Sequence, residues 1–148
     1  MGNRYWLIIY NPPRHINICR QHGLISFNTH NRQAMSRFRR MMPGDVALVK
    51  HAGAHIFTDV WRVASHMRPN QNDSEPWASQ GDLRGREFTY IAEIEVLEVF
   101  DPPRELPGRL SDFISPGKIG QCRAGLVELD RDEFCGLYEA LTGRSCPY

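Results

Sequence analysis

The chain has 148 residues, 41% of them hydrophobic, which suits one globular domain with a sizeable core, and no apolar run approaches the ~20 residues of a membrane span. The net charge is only +1, but residues 1–68 hold ten Lys/Arg and two acids whereas residues 69–148 hold eight and fifteen, so the halves carry +8 and −7. A basic half that also holds all six histidines is typical of a protein that binds nucleic acid, unless folding mixes the two halves and cancels the dipole.

The first predicted element is a strand over residues 4–11 (RYWLIIYN), which is rich in aromatic and β-branched side chains and which Pro12-Pro13 ends. Residues 14–27 show no clean periodicity and predict a long connection. A helix is predicted over residues 31–42, with Asn31 as its cap and Met35, Phe38 and Met42 on one stripe.

Two short strands are predicted next, over residues 46–50 and 56–64, after a turn at Pro43-Gly44-Asp45. Residues 69–85 are polar and predict an exposed, mobile loop that carries Trp77. Residues 87–100 give the clearest strand pattern, because apolar side chains alternate with Glu93 and Glu95.

The last third of the chain predicts a helical turn over residues 110–114, a loop over 115–122 and a strand over 124–128. Asp130-x-x-Glu133 is a capping-box pattern that opens a final helix, and Gly143 ends it. Five or six strands with two or three flanking helices indicate a small curved mixed sheet or barrel of the α+β class, in a single domain over residues 1–148.

Cysteine usage gives little sign of a metal or cofactor site. The four cysteines are Cys19, Cys122, Cys135 and Cys146, and no two of them form a CxxC pair. Cys19-x-x-His22 is only half of a zinc motif, so no metal or other cofactor is expected. The N-terminal sequence lacks a signal-peptide pattern, so a cytoplasmic protein with reduced thiols is expected.

Four short motifs occur in a suggestive order along the chain. They are Tyr5-Trp6-Leu7-Ile8, Met41-Met42-Pro43-Gly44-Asp45, Glu75-Pro76-Trp77 with Arg86, and Cys122-Arg123-Ala124-Gly125-Leu126 ahead of Asp132-Glu133-Phe134. In this order they resemble the EVE family, part of the PUA-like superfamily that also contains ASCH and YTH domains.

The resemblance implies a pseudo-barrel with a concave pocket that holds a nucleobase, often methylated, taken out of its stack. EVE-like domains also occur joined to nucleases in modification-dependent restriction. The implied partner is therefore DNA or RNA carrying a modified base, with a nuclease or motor domain fused or acting in trans as a further option, and no membrane.

Two groups of side chains are candidates for such a site, and each has a structural alternative. Candidates for the base pocket are Trp6, Phe27, Asn28, His51 and Trp77. Core packing is the alternative for the aromatic residues, a turn for the asparagine and the open surface for the histidine. Candidates for phosphate binding are Arg37, Arg39, Arg40, Lys50, Lys118 and Arg123. Their alternative is a solvated face, or for Arg123 a structural ion pair.

Catalytic motifs are not found: the sequence has no G-x-S-x-G, Walker loop or H-E-x-x-H. A binding module rather than an enzyme is therefore expected. One alternative is a small ASCH-like hydrolase acting on a modified nucleoside or amide through Lys50 with Glu93 or Glu95. Another is a protein-interaction module that uses the acidic half.

Overall fold

The computed structural model describes residues 2–83 and 85–148, with Asp82 described by its backbone only. This part of the chain contains seven strands and four α-helices in the order β1 Tyr5–Tyr10, α1 Arg14–His22, β2 Leu24–Ile25, α2 Arg32–Phe38, β3 Val46–His51, β4 Ile56–Val63, β5 Arg68–Pro69, β6 Tyr90–Glu105, α3 Pro116–Gln121, β7 Leu126–Leu129 and α4 Arg131–Thr142. None of the helices in these residues is long and apolar enough to cross a membrane.

The strands form one mixed, curled sheet with the order β2-β6-β4-β3-β1-β7, and β5 pairs with β6 beside it. β1 and β3 run parallel and the other pairs are antiparallel. Irregularities in the β3–β4 and β4–β6 registers let the sheet bend. The predicted α+β class with a curved mixed sheet is confirmed, with one more strand and one more helix than the sequence indicates.

Both faces of the sheet are covered, which explains the nearly continuous apolar sequence of β1. Trp6 and Ile8 belong to the core on one face, which includes Trp61 and Phe38. Leu7 and Ile9 belong to the core on the other face, against α4. A central strand buried on both sides has no solvent side to fill with polar residues.

Two helices arise where the sequence predicts none. Residues 14–22 form α1 because His15, Ile16, Ile18 and Cys19 make one buried stripe, in which a histidine occupies an apolar position. Residues 116–121 form α3, which starts at Pro116 and buries no side chain. The predicted connections over 14–27 and 115–122 are therefore wrong. The sequence does not indicate these helices because neither has a clean apolar period.

Two predicted helix boundaries are confirmed in detail and one is not. The Asn31 side chain accepts a hydrogen bond from the Ala34 N–H at 3.1 Å and caps α2. Asp130 and Glu133 form the expected capping box of α4, which Gly143 ends at a φ of 69°. However, α2 ends at Phe38, so Met42 is 46% exposed rather than part of the buried stripe.

The polar stretch over residues 69–85 is not the wholly exposed loop that its composition predicts. Trp77 and Leu83 within it are fully buried. Trp77 packs on Phe88 at a ring-centroid distance of 5.3 Å. The loop is therefore anchored to the core by its few apolar residues.

β6 also runs further than predicted, through Pro102 and Pro103 to Glu105. The prolines are tolerated because they lie where the β4–β6 register shifts, between Phe57 and Asp59.

Cys135 and Cys146 are joined in a disulfide, so the expectation that all four thiols are reduced is wrong. Cys19 and Cys122 are free.

Ion pairs between the two halves of the sequence mix their opposite charges in space. Arginines of the first half contact acids of the second half in the pairs Arg4–Glu128, Arg40–Glu128, Arg62–Glu95 and Arg68–Glu93. The charge split in the sequence is therefore partly cancelled on the folded surface.

Candidate functional site

A cavity of about 470 Å³ opens at the edge of the sheet where β1 and β3 end. These strands pair in parallel, with Tyr10 opposite His51, so both deliver their last residues to the same edge. The remaining walls come from α1, the β2–α2 segment, the approach to β6 and the turn before β7. The lining residues are Ile9, Tyr10, Asn11, His15, Phe27, Asn28, Asn31, Lys50, Ala52, Gly53, Arg86, Phe88, Cys122, Arg123, Ala124 and Gly125.

The turn before β7 comes close to β1 because residue 125 is a glycine. Its φ is +82°, and a Cβ at this position would lie 2.9 Å from the carbonyl oxygen of Ile9. The Ile9 N–H donates to the Gly125 carbonyl at 2.8 Å, which fixes the turn against the strand. This contact positions Arg123 at the cavity.

Aromatic rings form a packed wall of the cavity. Tyr10 stacks on the His15 imidazole with ring centroids 3.8 Å apart and planes 11° from parallel. Phe27 lies 5.4 Å from Tyr10, and Phe88 meets His15 edge-on at 5.2 Å. The Tyr10 hydroxyl donates to the Ser26 carbonyl at 2.8 Å, so the wall is fixed by polar as well as apolar contacts.

His15 is the most unusual polar group of this wall. It is 3% exposed, and its Nε2 has no hydrogen-bond partner within the described part of the chain. Burial, helped by the nearby Arg86 guanidinium, lowers the pKa of His15 to about 3. The imidazole is therefore neutral at ordinary pH and can present one donor and one acceptor.

Three cationic side chains line the same cavity. Lys50 is 5% exposed and its Nζ donates to the His51 carbonyl at 2.8 Å. Burial lowers the pKa of Lys50, and the thiol of Cys122 acts in the opposite direction. Arg86 Nη1 donates to the Asn11 carbonyl at 2.5 Å, whereas Arg123 is exposed. No Asp or Glu occurs among the described residues that line the cavity.

Three asparagines line the cavity, Asn11, Asn28 and Asn31, and the amides of Asn28 and Asn31 differ in availability. Asn31 is used in the fold: Oδ1 caps α2 and Nδ2 donates to the Ala124 carbonyl at 2.9 Å. Asn28 Oδ1 accepts from the backbone N–H groups of His30 and Glu87 at 3.3 and 3.4 Å. The Asn28 Nδ2 group has no acceptor among the described residues, so this amide nitrogen is available to a ligand.

Of the five residues predicted for a base pocket, only Phe27 and Asn28 line the cavity. Trp6 is fully buried in the sheet core, where its indole N–H donates to Asp45 Oδ2 at 3.0 Å. Trp77 lies behind the wall, 5.8 Å from the His15 ring. His51 lines a second cleft of about 400 Å³, together with Arg20 and Asp101. Trp6, Trp77 and His51 are therefore not among the residues that line this cavity.

Of the six residues predicted to bind phosphate, Lys50 and Arg123 line the cavity. Arg123 forms no ion pair among the described residues, so its expected structural alternative is not observed. Arg39, at the end of α2, is also exposed.

The other three are engaged elsewhere in the fold. Arg37 donates to the Leu126 carbonyl at 3.1 Å, and Arg40 pairs with Glu128 at 3.1 Å. Lys118 pairs with Glu133.

Sequence reasoning missed Tyr10, His15, Arg86 and Phe88 as lining residues. Tyr10 could have been found, because it is the last aromatic residue of a strand that Pro12-Pro13 ends and so lies at a sheet edge. His15 could not, because the helix that carries it was not predicted.

The model of the EVE domain family matches residues 4–137. The chain belongs to this family. The earlier resemblance is thereby confirmed, and all of the residues that line the cavity fall inside the matched range. No curated protein matches this EVE domain significantly.

Solved structures with the same fold include two proteins from a bacterium and a protozoan and a YTH domain bound to RNA. The Rhodopseudomonas palustris protein Rpa0253 is 13% identical, with a TM-score of 0.65 over 97% of this chain and 96% of its own. A hypothetical protein from Leishmania major is 15% identical, with a TM-score of 0.65 over 93% of this chain and 94% of its own.

The YTH domain of Zygosaccharomyces rouxii MRB1, solved in complex with N6-methyladenosine RNA, is 14% identical to the EVE domain, with a TM-score of 0.64 over 99% of this chain and 89% of its own. At these identities the likeness shows a shared fold.

Proposed function

We propose that this EVE domain is a non-enzymatic reader of nucleic acid, DNA or RNA, that holds a modified base out of its stack in the cavity beside Tyr10. The observation that carries the proposal is the cavity itself. Its volume of about 470 Å³, its aromatic wall and its cationic rim suit a base and the strand from which it comes. The EVE family and the fold shared with a YTH domain bound to N6-methyladenosine RNA support it.

The chemistry of the lining gives each part of such a ligand a counterpart. Phe27 and Tyr10 offer apolar surface to a base, and stacking of this kind is worth ~1–3 kcal/mol per base. The Asn28 amide and the neutral His15 imidazole can hydrogen-bond to the edge of a base. Lys50 and Arg123 can approach phosphates, with exposed Arg39 as a more distant contact.

The modification that we propose as the readout is methylation. A buried methyl group contributes about 1–1.5 kcal/mol, so a fitted cavity prefers the methylated base by about five- to tenfold. In a cell this EVE domain would act as the recognition module of a modification-dependent restriction system, with a nuclease or motor domain supplied in the same protein or in trans.

The hydrolase alternative requires Glu93 or Glu95 beside Lys50, and neither acid lies there. Lys50 lies opposite Phe57 of β4, whereas Glu95 lies opposite Arg62. Five residues separate these positions, which is roughly 16 Å along a strand. Glu95 pairs with Arg62 and Glu93 with Arg68, so neither acid lies beside the lysine.

The proposal is tested with oligonucleotides of one sequence, single-stranded and duplex, in DNA and in RNA, each with one adenine or cytosine either methylated or plain. Fluorescence anisotropy should show about five- to tenfold tighter binding of one methylated member of the set. Equal binding of all members, with an affinity that collapses in salt, would show a general phosphate binder instead.

The cavity is tested directly by filling it. Ala52 lines the cavity and is exposed, so Ala52→Trp should close the mouth without disturbing the core and should abolish the preference for the modified base. The matched control is Ala64→Trp, at an exposed alanine outside the cavity lining, which should keep the preference. A preference that survives Ala52→Trp would place the binding site elsewhere.

A further inference from the structure

The charged groups around the cavity all have the same sign. Lys50, Arg86 and Arg123 line it, and the described lining residues include no carboxylate. The three side chains come from β3, from the approach to β6 and from the turn before β7, which are far apart in sequence. The fold therefore gathers three cations around one space, and the described residues that line it supply no counter-charge.

Lys50 is the clearest part of this imbalance. Its side chain is 5% exposed, and its Nζ is hydrogen-bonded to the carbonyl of the next residue, His51, at 2.8 Å. A carbonyl carries no net charge, so the ammonium is largely withdrawn from water and has no ionic partner among the described residues. Such a group is costly unless something pairs with it.

Filling the cavity with a neutral base would make this cost larger. The occupant would displace water from Lys50, Arg86 and Arg123 at once and would return no negative charge. An occupant that carries an anionic oxygen would instead form charge-assisted hydrogen bonds, the stronger kind. The electrostatics of the cavity thus select for a ligand with an oxyanion.

We propose that the occupant of the cavity brings a negatively charged oxygen group, a phosphate or a carboxylate, to the side chains of Lys50 and Arg123, so that a base and an oxyanion are recognised together. This inference rests on the proposed function, and it deepens it by naming the ligand as a nucleotide or an acid-substituted base. Arg86 contributes mainly through its field, because one of its nitrogens is already bonded to the Asn11 carbonyl at 2.5 Å.

The two sources of an oxyanion are separated by two pairs of probes in isothermal titration calorimetry at low salt. The first pair is N6-methyladenosine and its 5′-monophosphate, which differ only in the phosphate. The second pair is 5-methylcytidine and 5-carboxycytidine, which differ in the acid on the base. In at least one pair the anionic member should bind about tenfold more tightly, the gain typical of one charge-assisted hydrogen bond.

Substitutions then locate the oxyanion. Lys50→Gln and Arg123→Gln should each remove most of the difference between the anionic and neutral probes. Arg104→Gln makes the same change of charge at an exposed arginine outside the cavity lining, and it should leave the difference intact. Because Lys50 is buried, thermal unfolding checks that Lys50→Gln folds, and the exposed Arg123 supplies a variant that does not disturb the core.

The outcomes separate this inference from the proposed function. Equal affinity for the neutral and anionic members of both pairs, or a preference unchanged in both cavity variants, overturns the oxyanion site and leaves the base reader standing. Inorganic phosphate that binds as tightly as the nucleotide supports the oxyanion site and overturns the role of the base. No binding of any probe overturns the inference, and the oligonucleotide experiment then decides the proposed function alone.

Discussion

Burial, more than hydrogen bonding, sets the state of the polar residues around the cavity. Lys50 has a lowered pKa and Tyr10 a raised one, in both cases chiefly because the charged form loses water on burial. His15 follows the same rule, and its pKa falls to about 3. The wall therefore consists of neutral rings at ordinary pH, which suits stacking better than an imidazolium would.

The histidine gives a prediction about stability. Its pKa is about 3 in the folded chain and about 6.5 in the unfolded chain, so the unfolded chain binds the proton more readily. The stability that the neutral His15 side chain contributes to the folded state is therefore fully present above pH 6.5 and is lost as the pH falls toward 3. Within this window the free energy of unfolding should fall by up to about 1.4 kcal/mol per pH unit.

Urea denaturation at several values between pH 7 and pH 5 measures this slope. His15→Gln should flatten it, because the titrating group is gone. His22→Gln, at an exposed histidine of the same helix, should leave the slope unchanged. A slope that is identical in both variants would show that carboxylates, not His15, cause the acid sensitivity.

At the scale of elements, the cavity depends on how closely the turn before β7 approaches β1. Gly125 has a φ of +82° and leaves no room for a Cβ, because the Ile9 carbonyl would be 2.9 Å away. Gly120 in α3 faces open space. The same substitution should therefore have opposite effects at the two positions.

Gly125→Ala should destabilise the fold by about 1–3 kcal/mol through its left-handed conformation and the contact with β1. Gly120→Ala should stabilise it by about 0.5–1 kcal/mol, since alanine is the better helix former. Thermal unfolding gives both shifts. Because Arg123 lies two residues before Gly125, Gly125→Ala should also weaken nucleotide binding, and unchanged stability and binding would contradict this account.

The elements that the sequence predicts well are those with strong local signals. Alternation marks β6, and a capping box marks α4. α1 was missed because its buried stripe includes His15, which a pattern of apolar residues does not count.

The candidate site was predicted only in part for a related reason. Phe27 and Asn28 lie in a loop, where an aromatic next to an amide is noticeable. The sequence predicts Trp6 as an aromatic wall of the pocket and Trp77 as a pocket residue in a polar stretch, but both side chains are fully buried. Which aromatic faces a cavity depends on how distant segments meet, and local sequence carries little of that information.

At the scale of the whole molecule, the C-terminal residues are tied back onto α4 and β6. The disulfide between Cys135 and Cys146 holds the tail to α4. Within the loop that it closes, Arg144 donates to Glu98 at 2.8 Å, and after Cys146 the Tyr148 hydroxyl donates to the same carboxylate. These contacts are on the side of the sheet that packs against α4, while the described lining of the cavity includes none of them.

Reduction of this disulfide should therefore change stability and leave the cavity intact. The disulfide closes a loop of 11 residues and limits the conformations of the unfolded chain, so its loss should lower the free energy of unfolding by up to about 3 kcal/mol. Cys146→Ala should lower the midpoint of urea unfolding by a corresponding amount, and it should keep the affinity for the preferred oligonucleotide within about twofold. A loss of affinity that matches the loss of stability would instead link the tail to the site.

The mixing of charge on the folded surface bears on how the domain holds a strand. Arg40 is paired with Glu128, Arg37 with a backbone carbonyl and Lys118 with Glu133, so these cations are already engaged. Lys50, Arg123 and Arg39 remain for phosphates, which is about three contacts, because Arg86 is already bonded to the Asn11 carbonyl. Each phosphate contact on a single strand contributes about −0.7 to the slope of log K against log salt, so the slope should be close to −2.

Anisotropy titrations at four salt concentrations give this slope directly. Arg123→Gln should make it shallower by about 0.7, whereas Arg104→Gln should not change it. A slope near −4 or steeper would mean that the strand displaces Glu128 and Glu133 and recruits Arg37, Arg40 and Lys118 as well. The binding surface would then extend from the cavity along α2 and α3, and the Arg40–Glu128 and Lys118–Glu133 ion pairs would be competitors of the nucleic acid rather than fixed parts of the fold.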